Sequence, residues 1–306
     1  MFRSFGEDQL AIKCTSRMLF QPKTTLPWPL PPLRRAIRGY LGPRVVLVDE
    51  LPPERRPSAL AILEVAHDLD PLGSELTVLS YNVQRGQRLD QAAATIKRAV
   101  DDRRPDLIFL QETPLELLRH PRLAGVFAAR TLFYAPFHQV DLPDRRYRFR
   151  RYGQLIASAR TLREPLVIEL PTVNPSVLGP SHLMKRIALY GELPMADRRV
   201  VGVVNVHNEP FARPSDRAFQ HQAFLDAVNR RAPEVAVCCG DFNPSLSQRG
   251  EPGLRLLEES GFENAFAHRW RTLDTCFARG HAAYLSAQSL RLGGSDHRPI
   301  VVRLAL

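Results

Sequence analysis

The sequence predicts an α/β protein built from two mixed β-sheets packed together, with helices outside. Three observations carry this: a regular β-α-β unit over 76–110, a series of apolar runs of strand length along the rest of the chain, and few helices between them. A chain of 306 residues can bury a substantial core as one large domain or two small ones. No repeat or low-complexity tract interrupts the pattern.

Residues 1–74 stand apart as a Pro-rich N-terminal extension, holding ten of the 26 prolines. The stretches 27–32 and 51–57 read as extended or turn segments. Between them, Leu33–Leu41 suits a short basic helix and Val45–Val48 a short strand. Ser58 suits the cap of a helix reaching Leu69, with Leu60 and Leu63 on one face. The extension is expected to lie against the main domain, residues 75–306.

From Glu75 the elements become regular. Leu76–Tyr81 alternates and is β-rich; Ala93, Ile96, Ala99 and Val100 recur at helical spacing; Asp106–Leu110 is a second strand. Thr113, Pro114 and Glu116 have the spacing of a capping box with Pro at the first helical position. Strands follow at 154–159, 165–170, 186–193 and 200–206. A helix at 215–230 carries Phe219, Leu225 and Val228 on its apolar face. The last strands are 235–239, 272–277, 283–290 and 299–305.

The totals narrow the classes of function. A net charge of +10 favours anionic partners, although lysine appears only four times among 42 basic residues, a skew that also follows from base composition. No apolar run approaches the roughly 18–20 residues that span a membrane. Glu7 and Asp8 break the N-terminal region where a secretory signal would be apolar, so a cytoplasmic protein is expected. The four cysteines show no C-x-x-C spacing, which disfavours a zinc site. Adjacent Cys238 and Cys239 in a core strand read as buried free thiols in a reducing compartment.

Five strand ends carry polar side chains suited to hydrolysis. Val235–Cys239 is a buried strand that Gly240 is expected to end; Asp241 and Asn243 then point the same way, and Pro244 stops further pairing. Asn82 and Glu112 end the two strands of the β-α-β unit, which are parallel and so share one sheet edge. His207 ends another strand, and Asp296 and His297 precede the last. Taken singly, each has an ordinary role as a cap, a turn former or a surface imidazole. Five together in one regular α/β chain point to a site.

Ser80-Tyr81-Asn82-Val83, Leu110-Gln111-Glu112-Thr113, Asn205-Val206-His207, Gly240-Asp241-Phe242-Asn243 and Ser295-Asp296-His297-Arg298-Pro299 resemble, in order and spacing, the motif set of the endonuclease/exonuclease/phosphatase superfamily. The resemblance covers roughly residues 75–306. It implies a four-layered α/β sandwich of the deoxyribonuclease I-like kind and a magnesium-dependent attack of water on phosphorus, with Mn²⁺ a substitute. By the same resemblance Glu112 is the chief metal ligand, with Asn82 beside it and Asp296 next to the metal. Asp241 positions or deprotonates the water, Asn243 binds a phosphate oxygen, and His207 donates to the phosphoryl group. His297 binds phosphate or transfers a proton, and Asp274 orients it. One departure is that Asn208-Glu209-Pro210 follows His207, where Leu is usual.

The substrate is read from Arg145–Tyr152, where five arginines interleave with three aromatics. Arg148, Arg150 and Arg151 are candidates for gripping phosphates while aromatics stack on bases; a solvated edge strand is the ordinary alternative. A nuclease acting on nucleic acid is the favoured reading. The alternative is a phosphatase or phosphodiesterase acting on a lipid head group or a small phosphorylated molecule, sphingomyelinase-like or inositol-phosphatase-like.

Overall fold

The computed structural model describes residues 69–136, 152–171, 186–210, 212–244, 251–267, 272–291 and 293–306, with the backbone of strand segments 46–47, 62–64, 138–139 and 184–185. Among the described residues, sixteen strands form two large sheets and one small one. The first sheet has eight strands. In spatial order they are β1 (Val46–Leu47), β2 (Ile62–Glu64), β5 (Thr131–Pro136), β7 (Tyr152–Ser158), β4 (Leu107–Pro114), β3 (Glu75–Asn82), β16 (Ile300–Ala305) and β15 (Ala283–Ser289). The second has six: β13 (Glu263–Asn264), β14 (Asp274–Gly280), β12 (Val235–Asp241), β11 (Val200–His207), β10 (Ile187–Pro194) and β8 (Arg163–Glu169). β6 (His138–Gln139) and β9 (Met184–Lys185) pair separately.

Alternation within each strand sorts side chains into layers. Val78, Phe109, Ile156 and Val302 of the first sheet meet Leu189, Val203, Val237 and Cys239 of the second in a core between the sheets. On the far side of the first sheet, Leu79, Tyr81, Ile108 and Leu110 pack on Ala92, Ala93, Ile96 and Ala99 of helix α1 (Leu89–Arg103). On the far side of the second, Val204, Val206, Ala236 and Cys238 pack on Phe224, Leu225 and Val228 of the long helix Pro214–Arg231 and on Leu254 and Leu257 of the helix Pro252–Glu259. The result is a four-layered α/β sandwich. Because both faces of the central strands are covered, their sequences read as continuous apolar runs.

Several expectations are corrected. The segment 62–64, expected inside a helix from Ser58, is a strand paired antiparallel to β5, while Val46–Leu47 is a strand as anticipated. The expected helix Leu33–Leu41 lies outside the described residues. No capping box forms at Thr113: β4 continues through Pro114, and only Leu115–Leu118 is helical, without a side-chain cap. Phe219 is 64 % exposed, because the apolar face of its helix is set by Phe224, Leu225 and Val228 instead.

Gly240 does not end its strand, since β12 runs through Asp241. It is needed there for another reason. At φ +152°, a Cβ on Gly240 would lie 2.0 Å from the carbonyl oxygen of Val206, so only glycine lets β11 and β12 approach. The cysteines differ as well. The antiparallel register of β12 and β14 sets Cys239 opposite Cys276, and the two form a disulfide, leaving Cys238 a buried free thiol. A separation of 37 residues gave no sign of this pairing, and the compartment argument from free thiols loses its support. No helix among the described residues is long and apolar enough to cross a membrane.

Candidate active site

The topology delivers the polar strand ends to one edge. β3 and β4 are parallel, with Asn82 opposite Gln111. β11 and β12 are parallel, with His207 opposite Asp241, and β14 enters antiparallel, with Asp274 opposite Asp241. His207, Asp241 and Asp274 therefore stand side by side across three adjacent strands. The segment before β16 reaches the same edge because Ile300 pairs with Ser80, close to the end of β3.

Asp241 is the hub. Asn82 Nδ2 donates to its Oδ2 at 2.9 Å across the two sheets. His207 Nε2 and His297 Nε2 lie 3.6 and 3.7 Å from the same oxygen. Its other oxygen accepts the backbone N–H of Asn243 at 3.1 Å. Asn243 takes a left-handed conformation, φ +47°, and its Nδ2 donates to the carbonyl of Asn208 at 3.1 Å. His297 Nδ1 bonds Asp274 Oδ2 at 2.8 Å, while Asp296 is exposed, 3.9 Å from His297.

Glu112 owes its position to a bulge. The register of β4 against β7 shifts between Leu110 and Thr113, and Glu112 sits there at φ +52°, an unfavourable conformation for a side chain with a Cβ. Beside it, buried Gln111 donates to Ser80 Oγ at 3.1 Å and to Asn205 Oδ1 at 2.8 Å. Asn205 in turn donates to the carbonyls of Leu110 and Leu155 at 3.0 and 2.9 Å, tying the two sheets beneath the bulge. Glu112 Oε1 lies 3.9 Å from His207 Nε2, and its Oε2 lies 3.3 Å from Arg85 Nε.

Electrostatics separate the roles available to these groups. Burial raises the Asp241 carboxyl above the ordinary range, opposed chiefly by His297 and reinforced by Asp274. For His297 burial works to lower the pKa, but the Asp274 and Asp241 carboxylates outweigh it and raise the imidazole to about 10. His207 goes the other way: burial, then the charges of Arg186, His297 and Arg85, hold it well below its usual value. One histidine is thus kept cationic and the other neutral.

The donor set suits a hard divalent cation. Glu112, Asp241 and Asp274 offer oxygen, and the buried Oδ1 of Asp274 has no hydrogen-bond partner among the described residues. Ligand atoms of Asp241, Asp274 and His297 lie within 4.8 Å of one another, although a cationic His297 has no lone pair for an ion, which leaves the two carboxylates as the donors there. The set expected from sequence is spread more widely. Asn82 and Glu112 face the site, whereas the contacts of Asp296 run to Ser295 and His297.

Two cations escaped the sequence reading. Arg186 is buried at the entrance to β10, where its Nε bonds Glu209 at 3.0 Å and its Nη1 lies 3.3 and 3.2 Å from the two ring nitrogens of His207. Arg85 places its guanidinium carbon 5.1 Å from the ring centroid of Tyr152 while facing Glu112. The only available signals were a basic residue directly before an apolar strand and a basic residue three beyond Asn82. Arg148, Arg150 and Arg151 lie outside the described residues.

With this geometry in place, the comparison with known proteins is direct. A family model described as the Endonuclease/Exonuclease/phosphatase family matches residues 79–297. The chain belongs to this family. Members of the family hydrolyse phosphoester bonds. Among curated proteins it is 29 % identical over 137 residues to the UPF0294 protein VV2535 of Vibrio vulnificus (strain YJ016), and the match takes in 42 % of this chain and 48 % of that protein. The chain thus spans about half the length of that relative. The human Nocturnin catalytic domain with bound sulfate superposes with a TM-score of 0.60 at 17 % identity, covering 78 % of this chain and 96 % of that one. The Bacteroides thetaiotaomicron VPI-5482 mannosyl-6-phosphatase Bt3783 gives 0.58 at 16 % identity, covering 76 % and 100 %. At such identities the likeness concerns the fold.

Proposed function

We propose that the chain is a magnesium-dependent phosphodiesterase whose substrate is nucleic acid. The observation that carries the hydrolytic part is the row His207, Asp241, Asp274 with His297 bonded to Asp274, because it puts a raised carboxyl, a cationic imidazole and a neutral imidazole around one point. Glu112 and Asn82, with Asp241 near them, are the residues that would hold the metal. When bound, Mg²⁺ (or Mn²⁺ in its place) supplies positive charge to a phosphoryl oxygen and to the attacking water.

The chain's own groups divide the remaining work. Asp241 orients the water and accepts its proton, and its raised pKa makes it a stronger base than an exposed carboxylate. Asn243 has one Nδ2 hydrogen committed to Asn208, which leaves the second for a phosphate oxygen. His297, charged and held by Asp274 through Nδ1, presents Nε2 as a proton donor to the phosphoryl group or the departing oxygen. His207, neutral, donates from one ring nitrogen.

Net charge and the Arg145–Tyr152 run support a polyanionic substrate. The test is a panel of plasmid DNA, single-stranded RNA, a chromogenic phosphodiester and a phosphomonoester, each with Mg²⁺ and with excess chelator. Cleavage of a nucleic acid that chelator abolishes is the expected result. Preferred turnover of the phosphomonoester would transfer the chain to the phosphatase side of the family.

A further inference from the structure

The residue after His207 departs from the family's usual leucine, and the structure gives Asn208 specific work. Its backbone N–H donates to the carbonyl of Asp241 at 3.0 Å, and its carbonyl accepts Asn243 Nδ2 at 3.1 Å. Its side-chain Nδ2 lies 3.3 Å from the carbonyl oxygen of Phe242 and 3.0 Å from His221 Nε2. One residue is therefore bonded to each of the three positions 241, 242 and 243.

His221 in turn is fixed on every side. Its Nδ1 donates to the carbonyl of Arg217 at 2.8 Å, which leaves Nε2 as the acceptor for Asn208. Its ring stacks on Phe242, with centroids 5.6 Å apart and planes 23° from parallel. Gly253 closes over it so tightly that a Cβ there would lie 2.3 Å from Nδ1. Burial favours the neutral ring, with the pKa pushed down to about 4, consistent with an accepting nitrogen. A purely packing role needs neither a fixed tautomer nor a bond to the residue that holds Asn243.

We infer that His221 is a positioning residue: through Asn208 and Phe242 it sets the strained Asp241–Asn243 segment, and with it the Asn243 carboxamide, in the geometry that meets a phosphate oxygen. The inference rests on the proposed role of Asn243.

The test is a double-mutant cycle on turnover of a chromogenic phosphodiester, with folding followed by circular dichroism. His221→Phe keeps the stacking and removes the bond to Asn208; it is expected to lower kcat about tenfold with KM changed by less than about twofold. His221→Gln, which retains an acceptor and a donor, is expected to recover most of that loss. In an Asn243→Ala background, His221→Phe is expected to cost nothing further. Asn208→Leu provides the same cycle should His221→Phe fail to fold. Multiplicative losses in the double variant, or an unchanged kcat in His221→Phe, would overturn the inference. Full turnover in Asn243→Ala alone would overturn the proposed role of Asn243 instead, and the inference with it.

Discussion

Asp274→Asn separates charge from position at His297. The substitution removes the anionic partner of the 2.8 Å bond while leaving an oxygen that still accepts from Nδ1. His297 is held at about 10 largely by Asp274, with burial opposing. Without that carboxylate its pKa should fall, with Asp241 and Asp296 still raising it against burial. At about pH 8 a full return to the ordinary value of about 6.5 would drop the cationic fraction from roughly 99 % to roughly 3 %, so the loss from population alone is at most about 30-fold. At about pH 6 most of the imidazole remains protonated in both proteins, and the deficit should shrink to less than about twofold. The assay is kcat for a chromogenic phosphodiester at both pH values with saturating Mg²⁺. An equal deficit at the two would show that Asp274 acts by position, and no deficit at pH 8 would remove the imidazolium from the reaction. Stability carries the same sign: a raised folded-state pKa stabilises fully below the unfolded value, and that contribution is lost as pH rises through about 10.

Three further outcomes are expected. Glu112→Gln should raise the Mg²⁺ concentration needed for half-maximal rate by about tenfold or more, and unchanged metal dependence would remove Glu112 from the ligand set. Arg148, Arg150 and Arg151 together replaced by Ala should flatten the salt dependence of nucleic-acid binding by up to about three units of slope while sparing the small diester, and an unchanged slope would make the run a solvated edge. A chain beginning at Pro71 should keep its turnover but lose stability, because removing β1 and β2 exposes the ladder of β5; each kcal/mol lost should lower the melting midpoint by about 2–4 °C. A well-folded truncated chain without turnover would contradict the dispensability of residues 1–74 for chemistry.

Asn82, Glu112, His207 and Asp241 stand out in the sequence because each closes an apolar run, whereas Asp274 follows only from the family resemblance. A polar side chain that closes such a run marks the sheet edge, and the order of strands brought His207, Asp241 and Asp274 into one row. What the sequence could not convey were contacts made between distant segments. Arg186 reaches His207 only because β10 lies beside β11, and Arg85 reaches Glu112 only through the turn after β3. The Cys239–Cys276 pair depends on the register of two strands between which the helix Pro252–Glu259 and β13 intervene. Thr113 and Pro114 have the residue types of a helix cap, yet pairing with β7 extends the strand through both and overrides the local preference. Ile62–Glu64 likewise follows its partner β5 rather than its helical spacing.

Hydrolysis of a chromogenic phosphodiester by the Asp241→Asn variant, with and without Mg²⁺, tests the central claim most directly. Asparagine keeps the shape and one of the two accepted bonds, from Asn82 or from the Asn243 N–H, but cannot take a proton from water. The account predicts that kcat falls by about 10²–10⁴ at unchanged fold, with KM altered by less than about twofold. Turnover close to that of the wild type in this variant would mean that the strand ends gathered around Asp241 are not where phosphorus is attacked.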